Sequence, residues 1–294
     1  MRVVSVLLAT FAFASTLSSQ TLQQRVAAIA SNTDATVSVA CALPNSALNC
    51  DRNADNHPPM QSVFKLPLGI AILHQVEVGT LTLDQTIRFL PSDRLQPGSY
   101  SPLQDKYPEA NVDVPLRELV RLSVSLSDNA AADVLLRILG GPMALQAYVD
   151  SLGVQGFHIE DDEKSLHMDA HTQFNNWFTP HGAVALLRRL ADNSPLTPAN
   201  TQLLFTFMQG PGNGTGRIKA GLPAETLVRH KAGTSDTVLG VTYAMNDIAL
   251  IALPDGRTLA LAVFLTNSTD DQPTREATIA AIAKAAYEAA VAAK

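Results

Sequence analysis

Ser62-Val63-Phe64-Lys65 opens an apolar run, Leu66-Pro67-Leu68-Gly69-Ile70-Ala71-Ile72-Leu73, and the reading of this stretch decides that of the whole chain. The run has the composition of a buried helix. Pro67 is tolerated only near a helix start, where its missing N–H has no intrahelical partner to lose. The helix therefore begins close to Ser62, at the positive end of its dipole. Ser62 and Lys65, three apart, fall on one face of that helix, one turn from each other. A serine hydroxyl is a poor nucleophile until a base takes its proton, and a desolvated lysine can do so. The same residues also suit an N-cap serine with a lysine nearby, so the two readings must be separated by other residues.

At 294 residues the chain makes one large domain or two intimate ones. A hydrophobic content of 46% and a charged content of 16% are ordinary for a soluble globular enzyme with a sizeable core. The net charge of −6, with no Lys/Arg-rich run, excludes nucleic acid as the expected partner. Met1-Arg2, the apolar stretch 3–13 and the small-x-small Ala12-Phe13-Ala14 predict a secretory signal peptide over about 1–20. No later run is long enough to cross a bilayer, so the expectation is an exported chain, periplasmic or secreted, without a membrane partner. Cys41 and Cys50, nine apart across a turn containing Pro44-Asn45-Ser46, are expected to bridge two strands in an oxidising compartment; two unpaired buried cysteines are the alternative.

Periodicity predicts a helix over 21–31, then a hairpin from 36–41 and 47–52. Helices follow over 114–126, 130–139, 142–152, 180–190 and 198–208, with Gly140-Gly141 and Gly153 as stops. The segment 155–178 is acidic, polar and aperiodic, and a loop of that length in a compact domain is usually functional. Strands are expected over 227–234, 238–252 and 258–265, and an alanine-rich helix over 275–293. The two ends should form one antiparallel sheet covered by helices, with an all-helical lobe between them. The fold class is thus α/β (α+β): a five-stranded antiparallel sheet flanked by terminal helices in a single domain over 21–294. The α/β lobe comprises about 21–61 and 210–294, and the helical lobe about 62–209.

Three further groups carry possible chemistry. Ser127-Asp128-Asn129 reads either as an N-cap cluster or as a proton-relaying hydroxyl beside a substrate-holding amide. Lys231-Ala232-Gly233-Thr234 lies in a predicted strand, where the glycine would let a ligand backbone approach. Glu160-Asp161-Asp162-Glu163 sits in the long loop, where an acidic run is usually a solvated face.

Ser-x-x-Lys, Ser-Asp-Asn and Lys-x-Gly in this order resemble the motifs of the class A serine β-lactamases. The resemblance runs from about Leu22 to the C-terminal helix. Glu163-x-x-x-His167 followed by Gln173-Phe174-Asn175-Asn176-Trp177 is similar to the PER/VEB-like branch. It is this resemblance that selects Glu163 from the four acids. It implies acylation of Ser62 by a small-molecule β-lactam, with Lys65, and Glu163 through a water, as proton acceptors. It further implies an oxyanion hole from the N–H groups of Ser62 and Thr234. Ser127 would protonate the leaving nitrogen with help from Lys231, Asn129 would hold the acylamide, and Tyr100 would line the entrance. Glu163 would then activate the hydrolytic water. No cofactor is implied, and a monomer is expected.

Two positions depart from the commonest family pattern. Ala232 stands where a Thr or Ser hydroxyl normally meets the substrate carboxylate; Arg217, Thr234 and Ser235 could compensate. His167 stands where most relatives have an asparagine. A metal site on His167 and His171 finds no support in an H-E-x-x-H motif or a helical pattern, and none is expected. Two other readings share these residues: a penicillin-binding D,D-peptidase, which normally lacks an acid like Glu163, and a slow β-lactam-binding protein.

Overall fold

The computed structural model describes residues 20–166, 169, 171–210, 212 and 214–293. Residues 1–19 of the expected signal segment and His167 lie outside the described residues.

The chain begins with α1 (Leu22–Ala30), started by a capping box in which Thr21 and Gln24 exchange bonds, and then β1 (Thr36–Ala42). A 3₁₀ turn, Gln61–Phe64, leads into α2 (Lys65–Glu77), so the helix starts where the Ser62 reading puts it. There follow β2 (Thr86–Phe89), α3 (Pro102–Lys106), β3 (Val112–Pro115), α4 (Leu116–Ser125), α5 (Asn129–Leu139) and α6 (Pro142–Ser151). Asp128 caps α5 through the N–H of Ala131, and Gly140, at φ 110°, ends it in the left-handed region that a side chain resists. The long loop carries β4 (Phe157–His158), α7 (Glu163–Leu166) and β5 (Trp177–Phe178). After it come α8 (Pro180–Asp192), α9 (Pro198–Met208), β6 (Val228–Thr234), β7 (Thr237–Val238), β8 (Val241–Thr242), β9 (Met245–Ala252), β10 (Thr258–Thr266) and α10 (Gln272–Ala292).

The central sheet is antiparallel in the order β1-β10-β9-β6, with Val39 opposite Val263 and Ala232 opposite Asp247. Side chains alternate across it. Val37, Val39, Leu261 and Ala249 join Val26 of α1 and Ile279 and Ile282 of α10 in one core. Ile248, Leu250, Ala262 and Phe264 face the other way into a second core with α8 and the helices of the middle. α2 runs through that second core, with every residue from Lys65 to Leu73 buried. Truncating Ile70 or Leu73 to alanine there would cost about 2–5 kcal/mol.

The α+β class is as expected; two details differ. The 47–52 segment adds one bridge, Val39 to Arg52, in place of a fifth strand of the sheet. The side chain of Asn49 accepts from the N–H of Asp51, and Asn53 takes a positive φ, so local turns replace the ladder. Cys41 and Cys50 tie this segment to β1 by a disulfide, as expected. The 238–252 strand is interrupted, because Leu239 and Gly240 both take positive φ in a tight turn between β7 and β8. Leu is a rare residue at such a position, which hides the turn from a sequence reading. α8 packs on β1, β9 and β10 and shares the second core with the helices of the middle.

Candidate active site

Ser62 stands in the 3₁₀ turn ahead of α2, and Lys65 begins the helix, so their spacing brings Lys65 Nζ to 2.9 Å from Ser62 Oγ. Lys65 is fully buried, and water cannot solvate its ammonium. Protein oxygens replace water: Nζ donates to the Ser127 carbonyl at 2.8 Å and to Asn129 Oδ1 at 2.5 Å, and lies 2.8 Å from Glu163 Oε1. A buried ammonium is tolerable only with such compensation.

Ser127 occupies the corner between α4 and α5 with φ 60°, a strained backbone for a serine. The strain points its carbonyl at Lys65, while its hydroxyl accepts from Lys231 Nζ at 2.9 Å. Lys231 also donates to the Ala232 carbonyl at 2.8 Å. Burial, and then the proximity of Lys65, pushes the Lys231 ammonium well below the ordinary lysine range, with Asp247 and Glu163 opposing. Two lysines thus meet at one serine.

Glu163 opens α7, and Asp133 of α5 positions it by accepting from the N–H of Glu163 at 2.8 Å and of Lys164 at 3.0 Å. Burial raises the Asp133 carboxyl well above the usual range, and the neighbouring Glu163 and Asp162 add to that. Asp133 is four residues after Asn129 on the same helix, so both face the site; helical spacing could have found it from the sequence. Gln61, which donates through Nε2 to Gln173 Oε1 at 2.8 Å, carries no comparable sequence signal.

A cleft of about 410 Å³ is lined by Ser62, Tyr100, Ser127, Asn129, Glu163, Ala232, Gly233 and Thr234, among others. Tyr100 is exposed at its rim. Gly233 is required by a close approach, since a Cβ there would lie 2.7 Å from the Met60 carbonyl. The backbone that approaches it is the protein's own, leading into Ser62, where the sequence suggested a ligand's. Arg217, itself buried, donates from Nη1 to the Gly233 and Asn246 carbonyls at 3.0 and 2.8 Å and from Nη2 to Thr234 Oγ1 at 2.5 Å. It therefore fixes the end of β6 and turns the Thr234 hydroxyl. Ser235 lines a neighbouring recess with Gln61, Leu166 and Thr234, and its hydroxyl is engaged with the Asp236 carbonyl and the Ala244 N–H. Ala232 lines the cleft and offers no hydroxyl.

The arrangement brings together a hydroxyl nucleophile, a lysine and a carboxylate able to exchange its proton, and a second hydroxyl under a second lysine. Such a set can perform acyl transfer. Among the described residues no group of three or more His, Cys, Asp or Glu side chains is arranged to hold a metal.

A family model described as the beta-lactamase enzyme family matches residues 21–290. The extended-spectrum beta-lactamase PER-1 of Pseudomonas aeruginosa is 37% identical over 276 residues, covering 94% of this chain and 89% of that protein. Beta-lactamase VEB-1 of the same organism is 33% identical over 234 residues, covering 79% of this chain and 78% of its own. Among solved structures, a beta-lactamase from Chitinophaga pinensis superposes with a TM-score of 0.87 at 36% identity, over 92% of this chain and 99% of that one. The TLA-1 extended-spectrum beta-lactamase does so with a TM-score of 0.88 at 34% identity, over 92% and 98%.

Proposed function

The chain belongs to the beta-lactamase enzyme family, in its class A serine branch, and on that premise we propose that it opens the β-lactam ring of penicillins and cephalosporins through an acyl-enzyme on Ser62. Lys65 or, through a water, Glu163 takes the Ser62 proton as Oγ attacks the ring carbonyl. The carbonyl oxygen becomes an oxyanion held by the N–H groups of Ser62 and Thr234. Ser127 gives its proton to the departing ring nitrogen, and Lys231 stabilises the charge that develops there. Asn129 holds the acylamide. Thr234, oriented by Arg217, holds the carboxylate with Lys231, while Gly233 keeps the strand close to Ser62 and Tyr100 and Ser235 bound the cleft. Glu163 then activates the water that releases the product, and the outcome for the host is antibiotic resistance.

The observation that carries this reading is the contact of one buried lysine with both Ser62 Oγ and Glu163 Oε1. We further propose that residues 1–20 direct export to the periplasm or medium, that 21–294 is one domain with its site between the two lobes, and that the enzyme acts as a monomer. The test is a chromogenic cephalosporin followed by absorbance and protein mass. Turnover that disappears in Ser62→Ala supports the proposal. A stable adduct without turnover, or cleavage of a D-Ala-D-Ala peptide in its place, overturns it.

A further inference from the structure

The loop that carries Glu163 is closed at its neck by the ribbon of β4 and β5, and this ribbon has two unlike faces. Inside, Phe157 and Phe178 pack edge to face, with ring centroids 5.0 Å apart, and both belong to the core. Outside, Trp177 lies against His158 at 5.4 Å and stacks flat on His57, with centroids 3.8 Å apart and planes 10° apart. His57 is exposed and Trp177 half-buried, and neither belongs to either core.

The position of this stack is informative. His57 stands five residues before Ser62, and the stack is the outermost of a series of ties between the segment entering the nucleophile turn and the far end of the loop. Phe178 N donates to the Pro58 carbonyl at 3.3 Å, and Met60 N to the Asn176 carbonyl at 3.0 Å. Pro59 bridges Trp177, and Gln61 reaches Gln173. Other ties of the loop leave this segment untouched. Asn176 accepts from the N–H groups of Glu160 and Asp161, closing the neck, and Asp133 holds the Glu163 end to α5.

We propose that Trp177, clasped by His57, is a positioning residue that sets the distance between the Glu163 loop and Ser62, and that it acts on release of the acyl group. The proposal rests on the reading of Glu163 as the group that activates the hydrolytic water. Ser62 and Lys65 belong to one continuous turn and helix, so acylation with Lys65 as the proton acceptor does not pass through the loop. Deacylation requires a water held by Glu163 to reach a carbonyl on Ser62, and misplacement by about 1 Å is enough to cost orders of magnitude. A flat ring stack fixes the two segments with little conformational freedom left.

The test uses the full-length enzyme and a chromogenic cephalosporin, with His57→Ala to break the stack and His57→Phe to restore a ring. Trp177 is the chain's only tryptophan, so its fluorescence reports directly whether the stack is lost. His57→Ala should shift that emission, lower kcat about tenfold with kcat/KM within about twofold, and raise the acyl-enzyme fraction seen by rapid-quench mass spectrometry. His57→Phe should restore all three. The proposal is overturned if kcat and kcat/KM fall together, or if the emission shifts without accumulation of acyl-enzyme. Glu163→Gln, run alongside, separates the two levels. If Glu163→Gln accumulates acyl-enzyme and His57→Ala does not, only the clasp is wrong. If Glu163→Gln turns over normally, the deacylation reading falls and the clasp with it.

Discussion

Lys65 Nζ lies 2.8 Å from Glu163 Oε1, and both side chains are buried. The same nitrogen faces Ser62 Oγ, the Ser127 carbonyl and Asn129 Oδ1, four oxygens for the three protons of an ammonium. Passing one proton to Glu163 would leave an amine able to accept the proton of Ser62. Lys65→Met should lower the unfolding free energy by about 3–5 kcal/mol at neutral pH, because it strands a buried carboxylate. Adding Glu163→Gln should return a large part of that loss. Urea denaturation of the two single variants and the double variant checks the coupling; simple additivity would contradict it.

Lys231 predicts the alkaline side of the pH profile. Its ammonium titrates well below the ordinary lysine value of 10.5, so its charge is present at low pH and is lost as pH rises through that depressed value. kcat/KM for a carboxylate-bearing β-lactam should therefore fall on the alkaline side before an ordinary lysine would titrate. Lys231→Arg, whose cation persists above about pH 12, should move that limb upward whatever its effect on the maximum. An unmoved limb would assign the titration to another group.

Ala232 leaves the cleft without a hydroxyl on that strand position. Ala232→Ser should add one hydrogen bond to the substrate carboxylate, about 1 kcal/mol, and lower KM about fivefold with kcat little changed. Steady-state kinetics on one penicillin decides the matter. An unchanged KM would mean that Thr234 and Arg217 already satisfy the carboxylate.

The Cys41–Cys50 disulfide closes a short loop that starts in β1, and neither cysteine lines the cleft. Replacing both cysteines by serine should cost about 2–3 kcal/mol of stability, chiefly through the unfolded chain. Calorimetry should show the lower Tm, while kcat/KM at 25 °C stays at the parent value.

The legible part of this molecule was what repeats along the chain or is fixed by local spacing. Ser62 and Lys65 are joined by one helical turn, Asp128 caps α5 where a polar cluster precedes an apolar helix, and the C-terminal strands and helix follow their periods. Glu163 was not of this kind. Four adjacent acids look alike in sequence, and only the fold makes Glu163 buried while Glu160 is exposed; family resemblance supplied the choice. Asp133 was readable by helical spacing and was missed, because an aspartate among alanines resembles an exposed position. Leu239 conceals a turn, and the residues about Asn49 and Asn53 have the composition of a strand, although the Asn49 side chain satisfies the backbone locally and Asn53 takes a positive φ. The stack of His57 on Trp177 joins residues 120 positions apart, a relationship that no local pattern encodes.

The central claim is that Ser62 is acylated and that Glu163 frees it. The most direct measurement is the intact mass of Glu163→Gln after mixing with a cephalosporin. One persistent adduct is expected, mapped by peptide digestion to Ser62 and absent from Ser62→Ala. An unmodified protein, or a Glu163→Gln enzyme that clears the substrate as fast as the parent, would contradict it.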